Sequence, residues 1–331
     1  MKRPSIAPLL KAAAGRAAKI VLMILAIVIV NFLLIHAAPG DPASALAGQS
    51  GQADEQYMAQ LRTQFGLDQP LAVQLWIYVK RVLMLDLGVS HRLQQPVAQV
   101  ILERFPATIL LTGTAFTLAL LGGIALGVRA SYRPGGVVDT LISAVSITLY
   151  ATPLYVVGII LVLIFGIWLD WLPTFGMMSV GPELSGPGRV LDVLRHLILP
   201  VTTLTLFYSA VYIRMTRSAM LEAWTHPFVR TAIAKGASET RVRWVHVLRN
   251  ALLPVVTVAG MQAGHLVGGS VLVETVFAWP GIGSLAFEAL LARDYELMLG
   301  IFLCASVFVL VFNVLTDLLY LWIDPRVGVS S

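Results

Sequence analysis

Apolar residues in this chain come in blocks rather than in alternation. Windows of about 20 of them, the length of helix that crosses a bilayer's hydrocarbon core, recur six times. The first covers about Ala17–Ala38 and contains IVLMILAIVIVNFLLI, and the second covers about Pro106–Val128. The others cover about Thr140–Leu169, Leu197–Arg214, Leu252–Val276 and Leu297–Ile323. The pattern predicts an all-α polytopic membrane protein with six transmembrane helices. Basic residues before the first block and Ala37-Ala38 after it imitate a signal peptide. Its long apolar core, in a chain that is otherwise membrane-embedded, reads as an uncleaved anchor.

The polar intervals divide the rest. Residues 1–16 form an N-terminal segment, 39–105 a long loop region between the first span (17–38) and the second, and 324–331 a tail. A five-helix core over 106–323 contains a second long connection, 215–251. The 39–105 region opens with the turn-rich PGDPASALAGQSGQ. It then offers EQYMAQLRTQF and LAVQLWIYVKRVLML, whose apolar residues fall at helical spacing.

Composition agrees with the block pattern. Of 331 residues, 57% are hydrophobic and 12% charged, where a soluble domain has about a quarter charged. The positions of the charges suggest an orientation. With the N-terminus inside, most of the 23 Lys and Arg fall on the inner side, including Lys2, Arg16, Arg129, Arg217, Arg241 and Arg326. Five of the cations left outside lie in the long 39–105 region, where the positive-inside rule has little weight. Asp41, Asp54, Glu55, Asp68 and Asp86 also fall outside. Both termini are therefore expected in the cytoplasm. The lone Cys304 cannot form an internal disulfide, and no Cys/His spacing suggests a metal site.

Catalytic signatures are missing. There is no GxxxxGK[ST] loop and no Gly-Lys dipeptide, so any ATP would be bound by another chain. The run Gly281-Ile282-Gly283-Ser284-Leu285-Ala286 follows Trp279-Pro280 and reads as a turn, not a dinucleotide fingerprint. His265 and Ser270 are five apart, poorly matched for a nucleophile and its base on one helix. Ionisable groups at membrane depth are functional candidates by default; here they are His265 and, less deeply, His36, Glu274 and Asp317. With Gln262 and Ser270, His265 and Glu274 form a candidate translocation path, although an end-of-helix role for Glu274 and Asp317 stays open. The small residues of AGMQAGHLVGGS suit close helix packing or a lumen-lining helix.

The densest charge lies in PFVRTAIAKGASETRVRWVHVLRNALLP, Pro227–Pro254, with five cations against Glu239. Pro227 suits a first helical position, and Gly236 suits the left-handed residue that closes a helix. Ser238 suits the cap of the next helix, which places Val242, Val245 and Leu248 or Arg249 at helical intervals. The prediction is helix, glycine turn, helix, lying across the inner membrane face, with its cations mainly fixing its side of the membrane. Small Ala232, Ala234 and Ala237 would let another backbone approach. Lipid binding needs charge but no register, nucleic-acid binding needs stacking aromatics in array, and docking needs a glycine with small flanks.

GDPA, FGLDQPLAVQLWIYVKRVLMLDLGVS, ERFPATILLT, VRTAIAKGASETRVRWVHVLRNALLPVVTVAGMQ and VETVFAWPGIG, in this order over nearly the whole chain, resemble the dipeptide/oligopeptide permease branch of binding-protein-dependent ABC importers. The resemblance implies a type I ABC importer permease fold. It sets Arg230-Thr231-Ala232 at the family's EAA position and makes Gly236 its glycine. Arg230 and Thr231 replace the general Glu and Ala, and Pro254 falls farther from the glycine than usual, a variant characteristic of the peptide branch. A coupling helix around Phe228–Ser238 is implied, with Phe228, Arg230, Thr231, Ala232, Lys235, Gly236, Ala237 and Ser238 as ATPase-coupling residues. The implied partners are a second permease, two ATPase subunits or domains that use Mg-ATP, and an external substrate-binding protein. No cofactor is expected on this chain, which is not itself an enzyme, and neither is nucleic acid. Alternating access in the cytoplasmic (inner) membrane of a bacterium follows, in contact with its lipids, for dipeptides, longer peptides, nickel chelates or glutathione. The 39–105 region would serve as part of the binding protein's docking surface or as a structural cap. The competing class is a membrane signalling or scaffold protein whose basic loop binds lipid or a regulator.

Overall fold

The computed structural model describes residues 21–34, 36, 63, 68–179, 181, 185–264 and 266–323, with 266–267 and 317–323 described by backbone alone. The described elements are helical apart from one two-stranded hairpin. The chain divides into two compact units, one of residues 1–103 with 285–310, the other of 104–284 with 311–331.

In the first unit, α1 (Val21–Leu34) and α2 (Leu71–Leu83) meet through Phe32, whose ring stacks on Tyr78 at 5.9 Å. His36 is satisfied there: one ring nitrogen lies 2.9 Å from the Phe32 carbonyl, the other 3.1 Å from Gln74 Oε1. The LAVQLWIYVKRVLML stretch thus forms a helix as its periodicity predicts, whereas most of EQYMAQLRTQF lies outside the described residues. A hairpin of β1 (Val89–Ser90) and β2 (Gln95–Pro96) follows. Its Ser90 hydroxyl donates to Asp294 (2.6 Å), and its Val89 N–H donates to Glu296 (2.8 Å), which also accepts from Arg81 (3.1 Å). The Gly88 N–H, together with the Arg81 guanidinium, holds the Asp86 carboxyl below the usual carboxylate range.

Helix α3 (Val97–Ala130) begins well before the predicted Pro106; that proline sits inside it. Its buried positions Ala107, Leu111, Ala115 and Ala119 recur every fourth residue, the i, i+4 stripe of a helix that packs on one face. In the second unit, Gly123 and Gly127 share that spacing. A Cβ added to either would lie 2.5 Å from Tyr212 Cβ or 2.6 Å from Thr216 Cβ. This is the close backbone approach that small residues permit between membrane helices. The partner helix is α6 (Pro187–Trp224), whose 38 residues exceed the predicted Leu197–Arg214 block.

The third block is not one straight helix. Thr152 is extended (ψ 130°) before Pro153, as the steric demand of the proline ring requires. The span divides there into α4 (Val137–Ala151) and α5 (Leu154–Trp168, its last seven residues a π-helix), bent by 105°. The fifth block is divided too. Helix α7 (Pro227–Ala234) precedes α8 (Glu239–Gly264), and short pieces α9 (Leu266–Gly269) and α10 (Val271–Val276) follow. The last two helices are α11 (Ile282–Ala292) and α12 (Tyr295–Ile323). Among the described residues, four helices are long and apolar enough to cross a bilayer, five if the bent pair is one span; the described part of α1 falls short of that length.

Candidate functional site

Helix α7 is closed by backbone chemistry that its sequence specifies. Pro227 takes the first helical position, where its missing N–H is no loss. At the other end Gly236 adopts φ +83°, its N–H donates to the Ile233 carbonyl (2.9 Å), and the Ala237 N–H donates to the Ala232 carbonyl (3.2 Å). This pair of bonds is the Schellman closure, which needs a residue free to take positive φ. Ser238 then caps α8: its Oγ accepts from the Arg241 N–H at 3.4 Å.

The closed helix rests on the bundle by one edge. Val229 and Ala232 are buried against Val128 of α3, Met220 and Ala223 of α6, and Val242, Val247 and Ala251 of α8. Phe228 and Ala237 are half-buried at the margin of that cluster. Arg230, Thr231, Ile233, Ala234, Lys235, Gly236 and Ser238 are exposed. Of the eight predicted coupling residues, Ala232 therefore seats the helix, while Arg230, Thr231, Lys235, Gly236 and Ser238 form its outer surface.

Two features of α8 differ from the sequence expectation. Residues Val242–Val247 form a π-helix, whose wider turn shifts the inward phase. Val242 and Val247 point inward, and Val245, expected on that face, is 52% exposed. Arg243 also faces inward and is buried. Its guanidinium lies 3.9 Å from the centroid of the Tyr132 ring and 4.7 Å from that of Trp224, and it donates to Glu239 at 2.7 Å. A desolvated cation over aromatic faces contributes about 2 kcal/mol. Arg243 thus fastens α8 to the turn after α3 and to the end of α6, a role beyond marking a side of the membrane. Its signal in the sequence was an arginine at the phase of Val242 and Val247, visible only once the π turn is known.

A second site surrounds Glu274, which is wholly buried. Its carboxylate accepts from Thr108 Oγ (2.9 Å), Ser270 Oγ (2.9 Å) and the Ser284 N–H (3.0 Å), and also from the Gly283 N–H. Thr108 Oγ in turn accepts from the Ile282 N–H (2.8 Å), and the buried Trp279 indole donates to the Ala107 carbonyl (2.9 Å). A Cβ on Gly281 would come within 2.3 Å of the carboxylate, and one on Gly283 within 2.9 Å. The Gly281–Ala286 run therefore wraps an internal anion, presented to the first N–H groups of α11, where negative charge is favoured. Ser270 and Glu274, two of the four path candidates, are bonded to each other in this lock. Gln262 is elsewhere, accepting from the Tyr212 hydroxyl at 3.3 Å. His265 lies outside the described residues, as does the side chain of Asp317.

The known proteins say what kind of helical membrane bundle this is. Residues 106–329 match the family described as binding-protein-dependent transport system inner membrane component, and residues 9–112 match its N-terminal family. The chain belongs to this family and is a permease subunit of an ABC transport system. It is 39% identical over 304 residues to the glutathione transport system permease protein GsiC of Salmonella typhimurium, spanning 92% of this chain and 94% of the relative. A Brucella abortus protein provisionally named a peptide transport system permease is 40% identical over 312 residues, spanning 94% and 97%. Among solved structures, a chain of the MetNI methionine ABC transporter in inward-facing form superposes with TM-score 0.55 at 17% identity. It covers 68% of this chain and 97% of that one, a likeness of fold alone.

Proposed function

We propose that this permease pairs with a second permease to form the translocation path for peptides or similar small solutes delivered by an external substrate-binding protein. Relatives named for peptide and glutathione transport support that cargo class. ATP is bound and hydrolysed on separate ATPase subunits, since the sequence has no phosphate loop. Six spans with both termini in the cytoplasm of a bacterium, and α7 on that side, fit the distribution of Lys and Arg. The α2 and hairpin region is then external and offers part of the binding protein's seat.

The observation that carries the coupling role is the geometry of α7. The helix is rigidly closed at Gly236, seated by Val229 and Ala232, and joined to α6 through only Thr225 and His226. A push on its exposed face cannot be absorbed by a slack linker and must move α6. Mechanistically, ATPase closure draws the α7 helices of the two permeases together, and the bundles follow. Gly236→Glu tests this: it places a bulky anion at φ +83°, which L side chains rarely adopt, on the docking edge, where a Cβ points into open space. Binding-protein stimulation of ATPase activity should be lost; coupled transport at the wild-type rate would contradict the reading.

A further inference from the structure

Helix α4 packs along α6, and one ion pair fixes the two helices to each other. Asp139, in the first turn of α4, is 3% exposed. Arg217 of α6 grips both its oxygens, through Nε to Oδ1 and through Nη2 to Oδ2 (2.7 Å). The same carboxylate accepts from the Gly135 N–H (2.8 Å) in the turn before α4, and from Ser143 Oγ (3.3 Å) one turn on. Arg217 lies two turns before Trp224, where α6 stops and the chain turns into α7. One turn earlier Arg214 rests over the Tyr150 ring, at 4.4 Å from its centroid, near the far end of α4.

We propose that Asp139 and Arg217 are a positioning pair for coupled transport, the strap through which a displacement of α7 reaches α4. This rests on the coupling role given to α7 above. Apolar side chains packed between two helices resist separation but tolerate sliding. A two-pronged arginine–carboxylate pair fixes one register, because both hydrogen bonds fail together when either helix slips. Displacement of α7 moves α6, Arg217 carries Asp139 with it, and α4 moves as one half of the bent pair. Beyond the bend, α5 meets the end of α10: a Cβ on Gly158 would lie 3.6 Å from Val276 Cγ1 and 3.3 Å from the Phe277 ring. Phe277 directly follows the helix that carries Glu274. The strap thus joins the glycine-closed helix, through α4 and α5, to the segment locked around Glu274.

The test uses the complete importer in proteoliposomes, with Cys304→Ser and spin labels at Leu141→Cys on α4 and Met261→Cys on α8, both exposed. The label separation is measured by pulsed EPR without nucleotide and with ATP and vanadate. The parent should show a nucleotide-dependent change in separation. Asp139→Asn and Arg217→Gln should each abolish that change while ATPase activity persists, and the double variant should be no worse than either single one. Arg217→Lys keeps the charge but not the fork, and should retain part of the change, which controls for misfolding. A full nucleotide response in Asp139→Asn and Arg217→Gln would overturn the proposal and leave the pair a merely fold-stabilising contact. If the parent complex itself gives no nucleotide response, the coupling role of α7 fails, and the strap with it.

Discussion

Replacing Glu274 by alanine removes a wholly buried carboxylate that accepts four hydrogen bonds in the second unit. Two of its donors, the N–H groups of Gly283 and Ser284, belong to the backbone and cannot turn away. The hydroxyls of Thr108 and Ser270 can rotate to other acceptors. Each buried N–H left without a partner costs about 1 to 3 kcal/mol. The loss of negative charge at the start of α11 adds about 0.3 to 2 kcal/mol. The expected destabilisation is therefore roughly 2 to 8 kcal/mol. Glu274→Gln should be milder, because its remaining oxygen can face the two N–H groups while its amide donates to the hydroxyls. The assay is thermal denaturation of the purified complex in detergent, followed by the fraction that elutes as a monodisperse peak. Alanine should lower the midpoint by several degrees and glutamine by clearly less. A Glu274→Ala variant as heat-stable as the parent would refute the lock.

Two further substitutions examine neighbouring contacts. Gly281→Ala drives a methyl group to within 2.3 Å of the same carboxylate and should reproduce most of the Glu274→Ala loss in the same assay. If it is silent, the turn does not wrap Glu274 as described. Arg243→Lys should weaken the seat of α8, since a lysine cannot lie flat across Tyr132 and Trp224. Arg241→Lys, on the exposed side, should be neutral; equal effects of the two in thermal denaturation would contradict the burial of Arg243 alone.

What the sequence revealed, and what it concealed, follows from the range of each interaction. Helix α7 was legible to the residue because its boundaries are local: Pro227 at the first turn, Gly236 at the closure, Ser238 at the next cap. The bundle's apolar blocks were legible because the bilayer demands length. Span geometry was not. The 105° bend at Thr152-Pro153 interrupts a block that reads as continuous, because the proline's effect on its neighbour leaves hydropathy unchanged. The π turn at Val242–Val247 reassigns Val245 and Arg243 without any local signal, and tertiary packing decides it. Glu274 stood out as an ionisable group in an apolar stretch. Its partners Thr108 and Ser284 are 166 and 10 residues away, too far for spacing to reveal. The glycines of GGIALG set the α3–α6 approach, yet they look like ordinary membrane-helix residues until Tyr212 and Thr216 are placed against them.

The exposed edge of α7 as the seat of an ATPase subunit is tested most directly by chemical capture. With Cys304→Ser, a single cysteine at Thr231, exposed on α7, is treated with a short bifunctional maleimide in membranes that contain the whole importer. The ATPase subunit, its docking cleft carrying an engineered cysteine, should be captured, with a yield that changes between ATP-bound and nucleotide-free states. Failure to capture the ATPase in either state, while a control cysteine on α2 behaves identically, would contradict the assignment of α7 as the coupling helix.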